Sequence, residues 1–450
     1  MTVRPRSPQV LTDLRTISGF AGPLLVTNLS LAGMTATDTI MAGQLGTDAL
    51  AAVAAGANFL GIFYLGGLGL LMSLSPAVAH AYGGQRDGDV TRLFRQGFWL
   101  AVMVAAVIVS CLMLTGPALR AIGMPVATAN LAAAYVQAAA FGIPATMGFL
   151  VLRFCSEGVG WTRPIMWAAL LGFLANIAGN YVFIYGKFGM PALGAVGCGV
   201  ATALVQWLML LFMILHVRSH RIYKPYQPLQ RLDAPDVALL RDMLRLGLPI
   251  SGSVLAEGAL FGAAGLMAGT LGADTMGAHA IAISYASLMF MVPLSLHSAT
   301  TIHVGHLLGA GDRPGGARAG WVGIGACAAF MLLSALLLIA VRQEVAALYT
   351  NDTGLQLIAA QLLLYAAAFQ LADGLQVGTA GALRGFRDAR IPMALTVFAY
   401  WCVAMPLAWY WGFKLRLGVP GIWAALIAGL LVCAALLLWR YRFMTRRIVT

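Results

Sequence analysis

The chain has 450 residues, of which 60% are hydrophobic and only 10% charged, and its mean hydropathy is +0.84. A soluble domain carries about 25% charged residues, so the composition excludes one and indicates an integral membrane protein; the 52 glycines suit close helix packing. The net charge of +12 raises nucleic acid as a partner, which the placement of the charges then removes.

In chain order the apolar stretches number twelve, at about 17–43, 52–77, 94–115, 128–150, 165–186, 193–216, 246–268, 277–300, 319–341, 355–381, 393–413 and 419–439. Each runs unbroken for about 20 residues or more, enough to cross a bilayer as a helix, whereas a β-barrel would alternate in segments of about 10. The fold class is therefore an all-α polytopic membrane protein with twelve transmembrane helices. A stretch apolar on all sides carries no facing signal, so length rather than period supports each helix. Arg4, Arg6 and Arg15 precede an apolar stretch too long for the core of a signal peptide, so no cleavable signal is expected. Cys111, Cys155, Cys198, Cys327, Cys402 and Cys433 stand singly, without metal or redox spacing.

An even number of spans puts both termini on one side. The terminal segments and alternate loops hold 23 of the 28 Lys and Arg, among them Arg153 and Arg384, and the other face holds Arg120, Lys187, Arg342, Lys414 and Arg416. That asymmetry places both termini in the cytoplasm of a cell whose inner, plasma membrane the chain crosses many times. It also accounts for the net charge without nucleic acid.

A polar stretch near the middle predicts two lobes, 1–217 and 246–450, joined by a cytoplasmic linker at 218–245. The lobes repeat. MAGQLGTDALAA at 41–52 and MAGTLGADTMGA at 267–278 share seven of twelve positions at an offset of 226, which also pairs Pro23 with Pro249, His80 with His306 and Arg92 with Arg318. Near an offset of 228, Phe141 pairs with Phe369 and Pro164 with Pro392. Each half then has six spans in one orientation, related by a pseudo-two-fold axis along the membrane normal.

Thirteen of the sixteen acids fall at loops or span ends, leaving Asp38, Glu257 and Asp373 inside. A carboxylate at the centre of a membrane helix costs roughly 2.5–3.5 kcal/mol on insertion scales. In the repeat frame these acids match Leu31 (Glu257), Ala264 (Asp38) and Ala145 (Asp373), so they break the symmetry. Asp38 and Glu257 lie two helical turns apart on nearly one face of equivalent helices, pointing to a central cleft or to the interior of their own lobe. No basic residue is expected near them in the spans. Each acid must then be protonated, hydrogen-bonded or paired with a cation from solution, and Glu257 with Asp373 could ligate sodium. Asn176, Asn180 and Tyr181 in the fifth span and Thr202 in the sixth either join helices or line a wet cavity. No nucleotide-binding or catalytic motif appears, so the chain is expected not to be an enzyme and to draw energy from a gradient.

The stretch AGPLLVTNLSLAGMTATDTIMAGQLGTDALAAVA in the first span, NIAGNYVFIYGKFGMPALGAVGCGVATAL at 176–204, LAEGALFGAAGLMAG at 255–269 and LADGLQVGTAGALRGFRD at 371–388 together resemble the NorM-like branch of the multidrug and toxic compound extrusion (MATE) family. The resemblance implies two six-helix lobes around a V-shaped cleft and export of cationic amphipathic drugs and dyes by antiport with sodium or protons. Asp38 resembles the first-helix acid implicated in coupling, with Asn180 and Thr202 as polar neighbours. Glu257 and Asp373 resemble the cation-site acids of the second lobe. Phe369 departs from the Tyr that some members carry. No cofactor beyond the coupling ion is expected, and the protein is expected to act as a monomer. A flippase for lipid-linked sugars, the alternative from a related fold, would need cationic residues in the cleft, and a non-transporting sensor would need no repeat.

Overall fold

The computed structural model describes residues 7–231 and 233–449, with side chains over 9–231 and 233–446. Arg4, Arg6 and the side chain of Arg447 from the charge count lie outside the described residues. The chain forms α1 (Ser7–Gly43), α2 (Thr47–Leu71), α3 (Leu74–Gly83), α4 (Asp87–Leu112), α5 (Thr115–Ala121), α6 (Val126–Ala140), α7 (Ile143–Val159), α8 (Arg163–Tyr185) and α9 (Ala195–Ser219). After a polar connection come α10 (Val237–Gly269), α11 (Ala273–Gly309), α12 (Arg313–Tyr349), α13 (Thr353–Gly385), α14 (Arg390–Val397), α15 (Met405–Trp409) and α16 (Gly418–Val449). Eleven helices among the described residues are long and apolar enough to cross a membrane, and the bent pair α6–α7 makes a twelfth.

The breaks within spans have chemical causes. Pro76 cannot donate to the carbonyl one turn back, and α2 gives way to α3 there, with Ser73 Oγ turning to the Leu70 carbonyl at 2.8 Å. Pro144 stands at the start of α7, where the chain bends by 47°, and the Phe141 carbonyl beside the bend accepts Trp207 Nε1 at 3.1 Å. Around Pro406 the helix widens into π-helical turns at Phe398–Ala404 and Tyr410–Lys414.

The repeat is visible in the helix ends. α1 and α10 end at 43 and 269, α2 and α11 begin at 47 and 273, and α3 and α11 end at 83 and 309, each pair 226 apart. Gly46 and Gly272 make the equivalent turns with φ of 109° and 128°, a backbone region that side chains rarely enter.

Two compact units result, but their limits differ from the predicted 1–217 and 246–450. One unit is Val26–Ser251; the other combines Met1–Leu25 with Gly252–Thr450. The boundaries at 25 and 251 are again 226 apart, two residues beyond Pro23 and Pro249. The first helix of each half thus begins in the unit of the other half. Packing decides this. Ile17 and Ala21 are buried with Leu296, Ala299 and Cys327, while Asp13 accepts His303 Nε2 at 2.9 Å and Arg318 Nε at 2.7 Å. In the other unit Leu240 and Met243 join the core, and Ser251 Oγ donates to the Gly66 carbonyl at 2.9 Å.

The polar middle stretch makes packed contacts of its own. Tyr223 and Tyr226 are buried, Tyr223 donates to Ser156 Oγ at 2.8 Å, and α10 already begins at Val237. Arg92 pairs with Asp236 at 2.6 Å and Arg95 with Asp233 at 2.9 Å. The Arg95 hydrogen bond holds the Asp233 carboxyl below the usual carboxylate range. For Asp236 the Leu239 backbone N–H does so first, with Arg92 second.

One assignment of the charge count is corrected. Arg153 and Glu157 sit not in a loop but inside α7, both buried, paired at 2.8 Å, with Arg153 Nη2 also donating to Asn28 Oδ1 at 3.1 Å. Length alone ended the fourth span near 150; the bend at Gly142 carries the helix on to Val159.

Candidate functional site

In the unit Val26–Ser251, α1 carries Asp38 against α8 and α9. Asp38 Oδ1 accepts Asn180 Nδ2 at 2.6 Å and Asn176 Nδ2 at 2.9 Å, and Oδ2 faces Thr202 Oγ1 at 3.3 Å. Asn176 and Asn180 are one turn apart on α8 and fully buried, which aims both amides at one oxygen. Thr202 also donates to the Cys198 carbonyl at the shorter distance of 2.9 Å. A hydroxyl has one proton, so the shorter bond claims it and leaves a lone pair facing Asp38 Oδ2. That arrangement suits a proton or a cation between the two oxygens. Tyr135, also buried, lies within electrostatic reach of Asp38. Tyr181 is exposed and stacks edge-on with Tyr185 instead of joining the cluster.

Of the two directions open from sequence, Asp38 takes its own unit's interior. Another flank of α1, made of Ala32, Thr35, Ala36, Thr39 and Ile40, faces a hollow of about 560 Å³. One helix therefore presents a hydrogen-bonded carboxylate on one side and an open hollow on another.

The second unit holds Glu257 on α10 and Asp373 on α13. Asp373 is 2% exposed and Glu257 half-buried, and their charges act on one another. The expectation of no basic neighbour is overturned here, because Arg384, in the last turn of α13, acts electrostatically on Glu257. The predicted span stopped three residues short of it. Phe369 is buried between Phe261 and Trp423, with ring centroids 5.8 and 5.7 Å away, and forms an apolar wall.

Around Asp373 the structure adds residues that the sequence reading passed over. Gln370, Gln376 and Tyr400 are all at least 96% buried. QLADGLQ spaces its two glutamines three residues either side of Asp373, a polar flank on an apolar helix that the sequence does carry as a signal. Tyr400, on the π-helical segment, had no such signal.

Residues 23–182 and 249–410 match the family model described as MatE, once in each repeat half. The chain belongs to the MATE family. It is similar to two curated relatives, each described as a "Probable multidrug resistance protein NorM", from Xanthomonas axonopodis pv. citri (strain 306) and from Xanthomonas campestris pv. campestris. To each it is 36% identical over 442 residues, spanning 98% of this chain and 96% of the relative, which places it in the NorM-like branch. Among solved structures it resembles the eukaryotic MATE transporter AtDTX14 with a TM-score of 0.88 at 18% identity, covering 98% of both chains. It also resembles an outward-facing multidrug resistance MATE family transporter of the MOP superfamily, with a TM-score of 0.88 at 20% identity over 99% of both chains. This MATE protein is accordingly a twelve-helix membrane transporter with two six-helix repeat halves, and not an enzyme.

Proposed function

We propose that this MATE protein is a secondary multidrug efflux antiporter. It exports amphipathic organic cations in exchange for sodium or protons, from the bacterial inner membrane, with both termini cytoplasmic and as a monomer. The observation that carries the reading is the pair of carboxylate sites within the spans, half-buried Asp38 with Asn176, Asn180 and Thr202 in one unit and half-buried Glu257 with buried Asp373 in the other. The positive charge of Arg384 acts on Glu257 in this second site. The names of the Xanthomonas relatives support drugs as the exported class.

The coupling ion enters from outside, binds Asp38 or the Glu257–Asp373 pair and favours drug release; its departure inside restores drug affinity. Because α1 bears Asp38 on one flank and the hollow on another, occupancy of the acid acts on drug binding through the helix as well as through shared charge. Ion and drug then weaken each other's binding by the same factor. Arg153 and Arg384 do not favour an anion-handling flippase, since each faces a glutamate. The test is ethidium efflux from cells expressing Asp38→Asn, Glu257→Gln or Asp373→Asn. Loss of gradient-dependent efflux is expected in each. Wild-type efflux in both Glu257→Gln and Asp373→Asn would sink the C-half assignment.

A further inference from the structure

Burying a polar atom without a partner is costly, so an accumulation of such atoms at one place asks for a missing partner. Among the described residues, Asp373 Oδ1, Gln376 Oε1, Tyr400 OH and both side-chain polar atoms of Gln370 are buried and have no hydrogen-bond partner. Asp373 is 2% exposed, Gln376 4%, Gln370 and Tyr400 0%. Gln370, Asp373 and Gln376 follow one flank of α13, and Gln376 approaches the Tyr400 hydroxyl without closing a hydrogen bond. Tyr400 is also within electrostatic reach of both Glu257 and Asp373.

The backbone explains how an aromatic hydroxyl gets there. Tyr400 lies in the π-helical segment Phe398–Ala404, where its carbonyl accepts the N–H of Met405, five residues on. Pro406 has no N–H to restore the tighter ladder. The wider turn shifts the side chains that follow, and such segments occur often at functional sites. Gly429 of α16 lies so close to Ala404 and the Ala399 carbonyl that a side chain there would collide, which holds this turn in place. Phe369, packed among rings, contributes no oxygen.

From this juxtaposition we infer that Tyr400 OH and Gln376 Oε1 are ligands, with Asp373, to the monovalent cation of the C-half site. The inference rests on the proposed C-half ion site and assigns it two neutral oxygens. A lone proton on Asp373 satisfies one acceptor. A hard cation such as sodium collects several oxygens at once, and carboxylate, carbonyl and hydroxyl are the donor types it takes. Gln370 lies six residues from Gln376, about 9 Å along the helix, so it stands outside the same shell and flanks Asp373 from the other side.

The purified full-length protein in nanodiscs gives the test. Thermal stability is followed while sodium chloride replaces choline chloride at fixed pH, and separately while pH is varied in choline chloride alone. Tyr400→Phe and Gln376→Met are compared with wild type, Glu257→Gln and Asp373→Asn, and ethidium efflux is measured in proteoliposomes at saturating sodium. Tyr400→Phe is expected to raise the half-saturating sodium concentration about tenfold or more, as loss of a supporting ligand does. Its pH response in choline chloride should stay as in wild type. Removing an orphan hydroxyl relieves its burial, so the sodium-free protein should be as stable as wild type or more so. A sodium response of Tyr400→Phe and Gln376→Met equal to wild type, beside its loss in Glu257→Gln and Asp373→Asn, overturns the two ligands and leaves the C-half reading standing. An effect confined to the pH series, or no sodium response in the wild type, overturns them too. Wild-type ion response in Glu257→Gln and Asp373→Asn overturns the reading beneath as well.

Discussion

The pair inside α7 is where the physics of burial can be measured most directly. Arg153 Nε and Glu157 Oε1 are 2.8 Å apart with side chains 10% and 2% exposed. At an effective dielectric of about 20, unit charges at that distance attract by about 6 kcal/mol, and desolvation of both groups offsets much of it. Replacing Glu157 by leucine removes the attraction but leaves the guanidinium buried, with Asn28 Oδ1 at 3.1 Å the remaining acceptor seen. Glu157→Leu is therefore expected to lose about 3–5 kcal/mol, as broken buried pairs do, and Arg153→Met a similar amount. The double variant, apolar at both positions, should return to within about 1 kcal/mol of wild type, because no uncompensated charge remains. Unfolding in mixed detergent micelles, read by tryptophan fluorescence, supplies the four corners of the cycle. A single variant as stable as wild type, or a double variant that loses the sum of both singles, would refute the idea that the pair sits in a dry interior.

Two further outcomes follow from the same structure. Asp13→Ala removes both the His303 and the Arg318 contacts, each charge-assisted bond contributing about 1.5–3 kcal/mol, so amide exchange over 9–25 should speed up while 252–300 changes little; equal exchange in variant and wild type would show that apolar packing alone holds this segment. Asp233 and Asp236 have depressed folded-state values, so what they contribute to anchoring the connection before α10 is complete above the ordinary carboxylate range near pH 4 and is lost as pH falls through those lower values. Exchange or proteolysis at 220–231 should therefore rise on acidification below about pH 4 and stay level above it, and a rise near neutrality would contradict the assignment.

How much of this was legible in the chain depends on the kind of signal. Twelve spans could be read because bilayer thickness demands long apolar runs, and the repeat because aligned motifs survive in both halves at one offset. Asp38, Glu257 and Asp373 could be singled out because charge is costly in lipid. The grouping of Asp38 with Asn180 and Thr202 came through the family resemblance, and the distances now give it a geometry.

What the chain order could not convey is which way each helix faces. A span that is apolar on all sides has no period to reveal its buried flank, so the turn of Asp38 into its own unit was settled by packing against α8 and α9. The same holds for the crossing at Leu25 and Ser251, where contacts of Ile17, Ala21 and Asp13 outweigh chain proximity. Charges near span ends are equally ambiguous in sequence: Arg153, Glu157 and Arg384 read as loop residues until the helices were seen to run on and bury them. Tyr400 sits on a π-helical turn, a local backbone choice with no pattern of its own, within electrostatic reach of Asp373. Apolar length determined the spans, aligned motifs the repeat, and the cost of charge in lipid the acids; tertiary packing decided how those acids are held, because neighbours in a membrane core are set by helix rotation and contact rather than by distance along the chain.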